Sequence, residues 1–417
     1  MTENEQIKLT KKRWMVLFSS CLINLCVGSL YVWSVFAGPM AAHLTEILGQ
    51  ELTAANLAIV FSIGNSFGFV TMIGGGFLNQ KLGVRRVVFL GGVLFGIGFV
   101  ICGFAQNVSG LVIGYGLVAG LAMGLAYGCT ISNSVKFFPD KAGLVGGIAT
   151  ASYGISSVIL PPVANALIDQ VGVSKAFLYF GIVIICITGI FSQFMVKCPE
   201  DFVPVGYQNS AKNVGKTVEE NDKNWKEMLI SPIFYVMLSM LFFGAVLGMM
   251  AISQASAIAQ NLVGMTAANA AFVVSILALF NTFGRILAGS VSDRIGCIKT
   301  LQGVFVLAVL SMATLYANAG ALWFCIGICM VGLCFGAFMG VYPGFTASQF
   351  GRKNASVNYG IMFIGFNLAG LLGPIFISQI YRMTNGYRPA FVLAMVFAAV
   401  GLVLTFVYNR LNQRQTA

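Results

Sequence analysis

Stretches of about 20 apolar residues recur along this chain, each long enough for a helix to cross a ~30 Å hydrocarbon core at 1.5 Å per residue. They run approximately over 14–38, 53–78, 85–106, 110–136, 142–168, 174–196, 232–260, 267–291, 299–318, 321–347, 355–380 and 388–410, twelve in all. Charged residues make up only 9% of the sequence, against roughly 25% in a soluble domain, and they gather between the stretches. The pattern predicts an all-α membrane protein with twelve transmembrane helices.

The basic residues orient it, because cytoplasmic loops carry the excess of Lys and Arg. Lys11, Lys12 and Arg13; Lys81, Arg85 and Arg86; Lys136 and Lys141; the stretch Lys197–Lys226; Arg294 and Lys299; Arg352 and Lys353; and Arg410 and Arg414 all fall on one side. Lys175, Arg382 and Arg388 fall on the other. Both termini and the central loop are therefore expected in the cytoplasm, in a cell inner (plasma) membrane. No cleavable signal is expected: Met1–Thr10 is polar, and Lys11–Arg13 run straight into a stretch too long for a signal peptide. The long polar segment from Lys197 to Ser231 divides the chain into residues 1–200, a linker over 201–227, and residues 228–417. Within it, Asn221–Ile230 reads as an interfacial helix with Trp225 at the membrane surface.

Composition excludes several classes. The net charge of +11 caps membrane spans and does not form the basic face of a nucleic-acid binder. Most of the ten cysteines lie inside apolar spans, no pair of CxxC motifs is present, and His43 is the lone histidine. Neither a metal nor a cofactor is expected. Without an acid in any span, no acid/base pair can be assembled, so enzymatic chemistry is not expected either.

The chain repeats itself. A shift of 212 residues places Gly120, Gly124 and Gly128 on Gly332, Gly336 and Gly340, Phe138 on Phe350, Lys141 on Lys353, and Pro162 on Pro374. A shift of 213 aligns Gly76-x3-Gln80-Lys81-x-Gly83-x2-Arg86 with Gly289-x3-Asp293-Arg294-x-Gly296-x2-Lys299. The halves are parallel repeats of six helices. Glycines at four-residue spacing (Gly116 to Gly128, and Gly332 to Gly344) line one face of helices 4 and 10, which permits close helix packing or sliding. Pro161-Pro162 and Gly373-Pro374 are expected to break helices 5 and 11.

The aligned loops resemble the loop between helices 2 and 3 of major-facilitator carriers, repeated here between helices 8 and 9. The resemblance implies two pseudo-symmetric six-helix bundles that rock about a central site. It also implies a cytoplasmic conformational latch built from Asp293 and Arg294 and, in the first copy, from Gln80, Lys81 and Arg86. Gln80 stands where the family places an acid, so that copy is expected to be weaker or purely hydrogen-bonded.

Once ionisable residues at span ends are removed, Arg285 remains inside the hydrocarbon, ~12 Å along helix 8 from Asp293. An arginine at that depth costs about 2.5–3.5 kcal/mol on insertion scales, and no span holds an acid to neutralise it. A guanidinium kept in a wet cavity to grip an anionic substrate explains it, since its fork matches a carboxylate. Asn281, one turn earlier on the same face, is placed to orient it or to donate to the substrate.

Around this point the sequence resembles the oxalate:formate antiporter family, with kinship to monocarboxylate transporters. The residues that carry the likeness are Gly28-x2-Tyr31-x-Trp33-Ser34, Tyr127-Gly128, Phe137-Phe138-Pro139-Asp140-Lys141-x-Gly143, Tyr153-Gly154, Phe280-Asn281-x3-Arg285, Tyr342-Pro343 and Asn358-Tyr359-Gly360. The resemblance implies that Tyr31, Tyr127, Tyr153, Asn281 and Arg285 are cavity positions. It departs at Phe366, where oxalate carriers have a second cation, and at Met339, an aromatic position beside Phe335. It departs again at Asn281, where animal lactate carriers place an acid for proton coupling.

These features lead to the expectation of a secondary carrier for small monocarboxylates of the formate, lactate and pyruvate class. Its carboxylate would sit on Arg285 and its apolar end against Phe335, Phe363 and Phe366. An oxalate or dicarboxylate exchanger, and a non-transporting sensor of the same acids, remain alternatives. The expected partners are the small carboxylate, a co-transported proton or counter-transported anion, and membrane lipid, with the chain acting as a monomer. The orientation is checked with two reporters. A fluorescent protein fused after Ala417 should fluoresce, and alkaline phosphatase inserted between Asp169 and Lys175 should be active; the opposite pair of results would invert the topology.

Overall fold

The computed structural model describes residues 3–54, 56–199, 202–206, 222–317 and 320–416, and every regular element among them is helical. Among the described residues, twelve helices are long and apolar enough to cross a membrane. They are α1 (Glu3–Leu48), α2 (Ala58–Leu82), α3 (Val84–Gly103), α4 (Val108–Phe137), α5 (Ala142–Val171), α6 (Val173–Ser192), α7 (Pro232–Ser253), α8 (Ala268–Ile295), α9 (Cys297–Ala317), α10 (Ala321–Phe350), α11 (Ala355–Thr384) and α12 (Arg388–Gln413). All twelve stretches expected from hydropathy are present. The largest boundary difference is α1, which begins at Glu3 and continues to Leu48, because helix propensity carries on past the apolar segment at both ends. The stretch read as 232–260 is two helices, α7 and a short one over Ala255–Val263, parted at Gln254.

Tight turns join the spans. Gly83 and Gly296, equivalent under the internal repeat, adopt φ of +80° and +91° between α2 and α3 and between α8 and α9. Only glycine takes that backbone conformation at no steric cost, so the doubled loop motif is a doubled turn.

Several spans are interrupted. α1 tightens into a 3-10 turn over Gly28–Val32, and α4 widens into a π-helical stretch over Val112–Ala119. The two irregularities are joined: the Tyr115 hydroxyl, in the π stretch, donates to the Leu30 carbonyl at 2.5 Å and approaches that of Ser29 at 3.4 Å. Carbonyls left over where an α-helix changes pitch need a donor in lipid, and this phenol supplies one. α5 and α11 break at Ile155 and Phe363, not at their prolines. Helices Ser156–Val171 and Ile364–Thr384 run straight through Pro161-Pro162 and Pro374. Serine hydroxyls explain the α5 break. Ser156 and Ser157 donate to the Tyr153 and Gly154 carbonyls, satisfying the groups that the interruption frees.

The described residues form two compact units. One comprises Met1–Pro139, Ser152–Glu220 and Lys353–Gly360; the other comprises Asp140–Ala151, Asn221–Arg352 and Ile361–Ala417. Two short segments, the first part of α5 and the first turns of α11, thus pack with the unit opposite to their own sequence half. Within the first unit α2 and α3 pack on α4, and α3 on α6; within the second α8 and α9 pack on α10, and α9 on α12. The pairings repeat as the sequence does. In the linker, Trp225–Ile230 forms a short helix capped by a reciprocal Asn224–Glu227 capping box, while residues 207–221 lie outside the described set.

In the first unit the glycines of α4 meet the backbone of α2. A Cβ on Gly120 would stand 2.6 Å from the Gly64 Cα, and one on Gly124 would stand 2.1 Å from the Gly68 carbonyl oxygen. The glycine stripe is therefore a contact that allows two backbones to touch. Replacing Tyr115 with Phe should cost about 1 kcal/mol and lower the melting temperature of purified protein, with helix content unchanged by circular dichroism. An unchanged melting temperature would show that the phenol does not hold the Gly28–Val32 turn.

Candidate functional site

Among the described residues two charged side chains are buried, Arg13 and Arg285. Arg13 lies near the start of α1 with its guanidinium 4.4 Å from the centroid of the Phe138 ring, a cation–π arrangement. Arg285 is different. It lies mid-way along α8, is 4% exposed, and its hydrogen bonds among the described residues go to neutral acceptors. Nη1 donates to the Thr150 carbonyl at 2.6 Å and Nε to Asn281 Oδ1 at 3.3 Å. No carboxylate lies within ion-pair distance of it among the described residues. A guanidinium offers five N–H donors, so Nη2 and one Nη1 hydrogen have no protein acceptor there.

The backbone around Arg285 is held in a slot of glycines. A Cβ on Gly147 of α5 would stand 2.3 Å from the Arg285 carbonyl oxygen, and one on Gly340 of α10 would stand 2.2 Å from the same atom. Gly336 would likewise meet the Asn281 carbonyl, and Gly332 that of Leu277. Three successive turns of α8 thus lie directly on three glycines of α10, at a distance that suits Cα–H···O contacts. Larger residues at these positions would push α8 away and move both Asn281 and Arg285.

The other expected site residues form two clusters. In the first unit, Tyr153 gathers Tyr31 (ring centroids 5.3 Å) and Tyr127 (4.6 Å); Tyr31 is part-exposed and the other two are buried. The cluster depends on the interruptions, since Tyr31 lies in the 3-10 turn of α1 and Tyr153 just before the α5 break. A Cβ on Gly28 would collide with Ser156 Oγ at 2.3 Å, so the two breaks pack directly on each other. In the second unit, Phe366 contacts Phe363 at 4.6 Å and Phe335 at 6.0 Å. These rings form a cluster of their own with Phe335 seated on Gly248 of α7.

At the ends of α8 and α2 the doubled loop motif is asymmetric. Asp293 accepts the backbone N–H groups of Gly143 (Oδ1, 2.7 Å) and Leu144 (Oδ2, 2.8 Å), capping the start of α5 with a full negative charge where the helix dipole favours one. Gln80 instead donates to Asn354 Oδ1 at 3.0 Å, beside Asn79 to Ser356 and Lys136 to the Lys353 carbonyl. Lys81, Arg86 and Arg294 are exposed. Sequence reasoning missed Thr150 and Gly147. A backbone carbonyl has no residue signature, and Gly147 lies in a run of glycines where several could have served. Among the described residues no group of His, Cys, Asp and Glu could hold a metal ion.

A twelve-span helical chain built as a doubled six-helix unit, with a buried cation on one span, is the architecture of a membrane transporter. Residues 21–317 match the Major Facilitator Superfamily model, and the chain belongs to that superfamily. It is 28% identical over 363 residues to the uncharacterised MFS-type transporter YhjX of Escherichia coli (strain K12), covering 87% of this chain and 86% of that one. It is 29% identical to the oxalate:formate antiporter of Oxalobacter formigenes, covering 97% and 94%. It is 23% identical to mouse (Mus musculus) monocarboxylate transporter 12, covering 96% and 87%. The solved proton:xylose symporter XylE superposes with a TM-score of 0.74 at 13% identity, covering 95% of each chain, a likeness of fold alone. The resemblance read from the sequence is thus matched by these relatives at modest identity, within the Major Facilitator Superfamily.

Asp293→Asn should disturb the α5 cap, because an amide presents one acceptor and one donor to two N–H groups. Transport should slow severalfold while equilibrium binding of the carried solute changes little. A large change in which solutes compete would instead place Asp293 in substrate recognition.

Proposed function

We propose that this protein is a secondary carrier of small monocarboxylates, of the formate, lactate and pyruvate class, in which Arg285 holds the substrate carboxylate. It works by alternating access in the cell inner membrane, with both termini cytoplasmic and a proton or a counter-transported anion as coupling partner. The observation that carries this reading is the buried guanidinium of Arg285, with no acid partner and donors to spare among the described residues. A buried cation without a counter-charge is costly; a carboxylate that seats on its free N–H groups removes the cost. Asn281 orients the guanidinium through Nε. Tyr31, Tyr127 and Tyr153 supply phenols that hydrogen-bond small polar solutes. Asp293, with the Gln80 network, acts on conformational exchange and not on substrate choice.

The size of the substrate follows from charge. With Arg285 alone, a dianion leaves one carboxylate uncompensated in a low-dielectric site, at several kcal/mol, whereas a monoanion has no such penalty. Phe366 stands where the resemblance places a second cation, and with Phe335 and Phe363 it suits an apolar substrate end. At about 1.4 kcal/mol per tenfold, even part of that penalty gives roughly a hundredfold preference. A second reading, an oxalate or dicarboxylate exchanger, is favoured by the 29% identity to the oxalate:formate antiporter.

Proteoliposomes separate the two. Oxalate, malonate, formate, lactate and pyruvate are each competed against one labelled substrate, in wild type and in Arg285→Gln, Arg285→Lys and Phe366→Lys. The monocarboxylate reading predicts competition by at least one monoacid and little by oxalate, loss of uptake in the Gln variant without loss of folding, and weakened binding in the Lys variant. Phe366→Lys should improve oxalate relative to formate. Tighter binding of oxalate than of every monoacid would favour the second reading. Near wild-type uptake by Arg285→Gln would remove Arg285 from the site altogether.

A further inference from the structure

The guanidinium of Arg285 has a partial counter-charge in the α5 break. Thr150, whose carbonyl accepts from Nη1 at 2.6 Å, lies four residues before the end of the first segment of α5, Ala142–Gly154. The final carbonyls of a helix carry the negative end of its macrodipole. Beyond Thr150, the Tyr153 and Gly154 carbonyls are taken by Ser156 and Ser157. The interruption at Ile155 thus ends the helix shortly after the carbonyl that Arg285 holds. Without the break, α5 would pass Arg285 as a continuous helix with no such terminus.

We propose that the Thr150 carbonyl is an internal stand-in for the substrate. A carboxylate arriving at Arg285 takes over the Nη1 donor, and the first segment of α5 is released from α8. This rests on the reading of Arg285 as the anion anchor. A carboxylate outcompetes a carbonyl because it carries full charge, and hydrogen bonds between ionised partners are roughly twice as strong as neutral ones. A two-point fork uses two of the three guanidinium nitrogens. Nε and Nη1 are already held by Asn281 and Thr150, so a fork on Nη1 and Nη2 brings a full negative charge to the nitrogen that holds the Thr150 carbonyl and competes with it. The change reaches the backbone because no side chain cushions it, Gly147 facing the Arg285 carbonyl directly.

Amide hydrogen exchange over residues 148–158, on full-length protein in lipid nanodiscs, tests this. In substrate-free protein, Arg285→Gln should exchange about tenfold faster over this segment than wild type, the change expected for one lost charged hydrogen bond, with α3 and α9 unaffected. In wild type, whichever of sodium formate, lactate or pyruvate raises the melting temperature should also speed exchange over 148–158. Equal exchange in substrate-free wild type and Arg285→Gln would overturn the proposal, as would slower or unchanged exchange when a stabilising carboxylate is added. The anchor reading is judged separately: if the carboxylate stabilises Arg285→Gln as well as wild type, that reading fails, whatever the segment does. If none of the three acids stabilises wild type, the substrate class is wrong and the substrate-free comparison alone decides the clamp. The wild-type arm needs no substitution, so a misfolded variant would not remove the test.

Discussion

A guanidinium buried on a membrane span, with no acid beside it among the described residues, is the constraint around which the second unit is arranged. The protein must surround this charge with acceptors. It does so with neutral groups: the Asn281 amide oxygen, and the Thr150 carbonyl at the end of a helix segment. A glutamate in either place would satisfy the charge better, but would also compete with any incoming anion. The arrangement leaves the cation only partly compensated, as the proposed role of Arg285 as an anion anchor requires.

The internal repeat makes the same point by contrast. Under the 213-residue shift, Met72 takes the place of Arg285 and Gly68 that of Asn281. The glycine setting is shared in position, since α4 presents Gly124 to the Gly68 backbone and Gly128 to the Met72 side chain where α10 presents Gly336 and Gly340 to the backbones of Asn281 and Arg285. One scaffold is used twice: with an apolar side chain in the first half, with a cation in the second. The loops diverge similarly, a carboxylate capping α5 in one copy and amides meeting the start of α11 in the other. The two halves of a repeated frame thus differ in charge at equivalent positions.

Much of this was legible in the sequence for a simple reason. Hydropathy, small-residue spacing and charge exclusion are local and strong in a membrane, so the twelve spans, the doubled glycine turn and the isolation of Arg285 could be read directly. What could not be read depends on backbone groups and on packing partners. The prolines of α5 and α11 suggested breaks at the wrong residues, because in α5 the seryl hydroxyls of Ser156 and Ser157 and not Pro161 decide where the helix ends. Asp293 looked like half of an acid–base pair, yet its oxygens bond main-chain N–H groups, which every residue possesses. Thr150 enters through its carbonyl alone. The three phenylalanines could be named as a group, but their seat on Gly248 of α7 needed the tertiary structure.

The account depends on Arg285 recognising negative charge and not merely shape. The most direct measurement compares lactate with lactamide, which has nearly the same size and hydrogen-bonding outline but no charge, as stabilisers of purified wild-type protein and of Arg285→Met. Lactate is predicted to raise the melting temperature of wild type in a saturable way, lactamide is not, and the Met variant should respond to neither while melting no lower than the unliganded wild type. Equal stabilisation of wild type by lactate and lactamide, or a lactate response retained in Arg285→Met, would contradict the account.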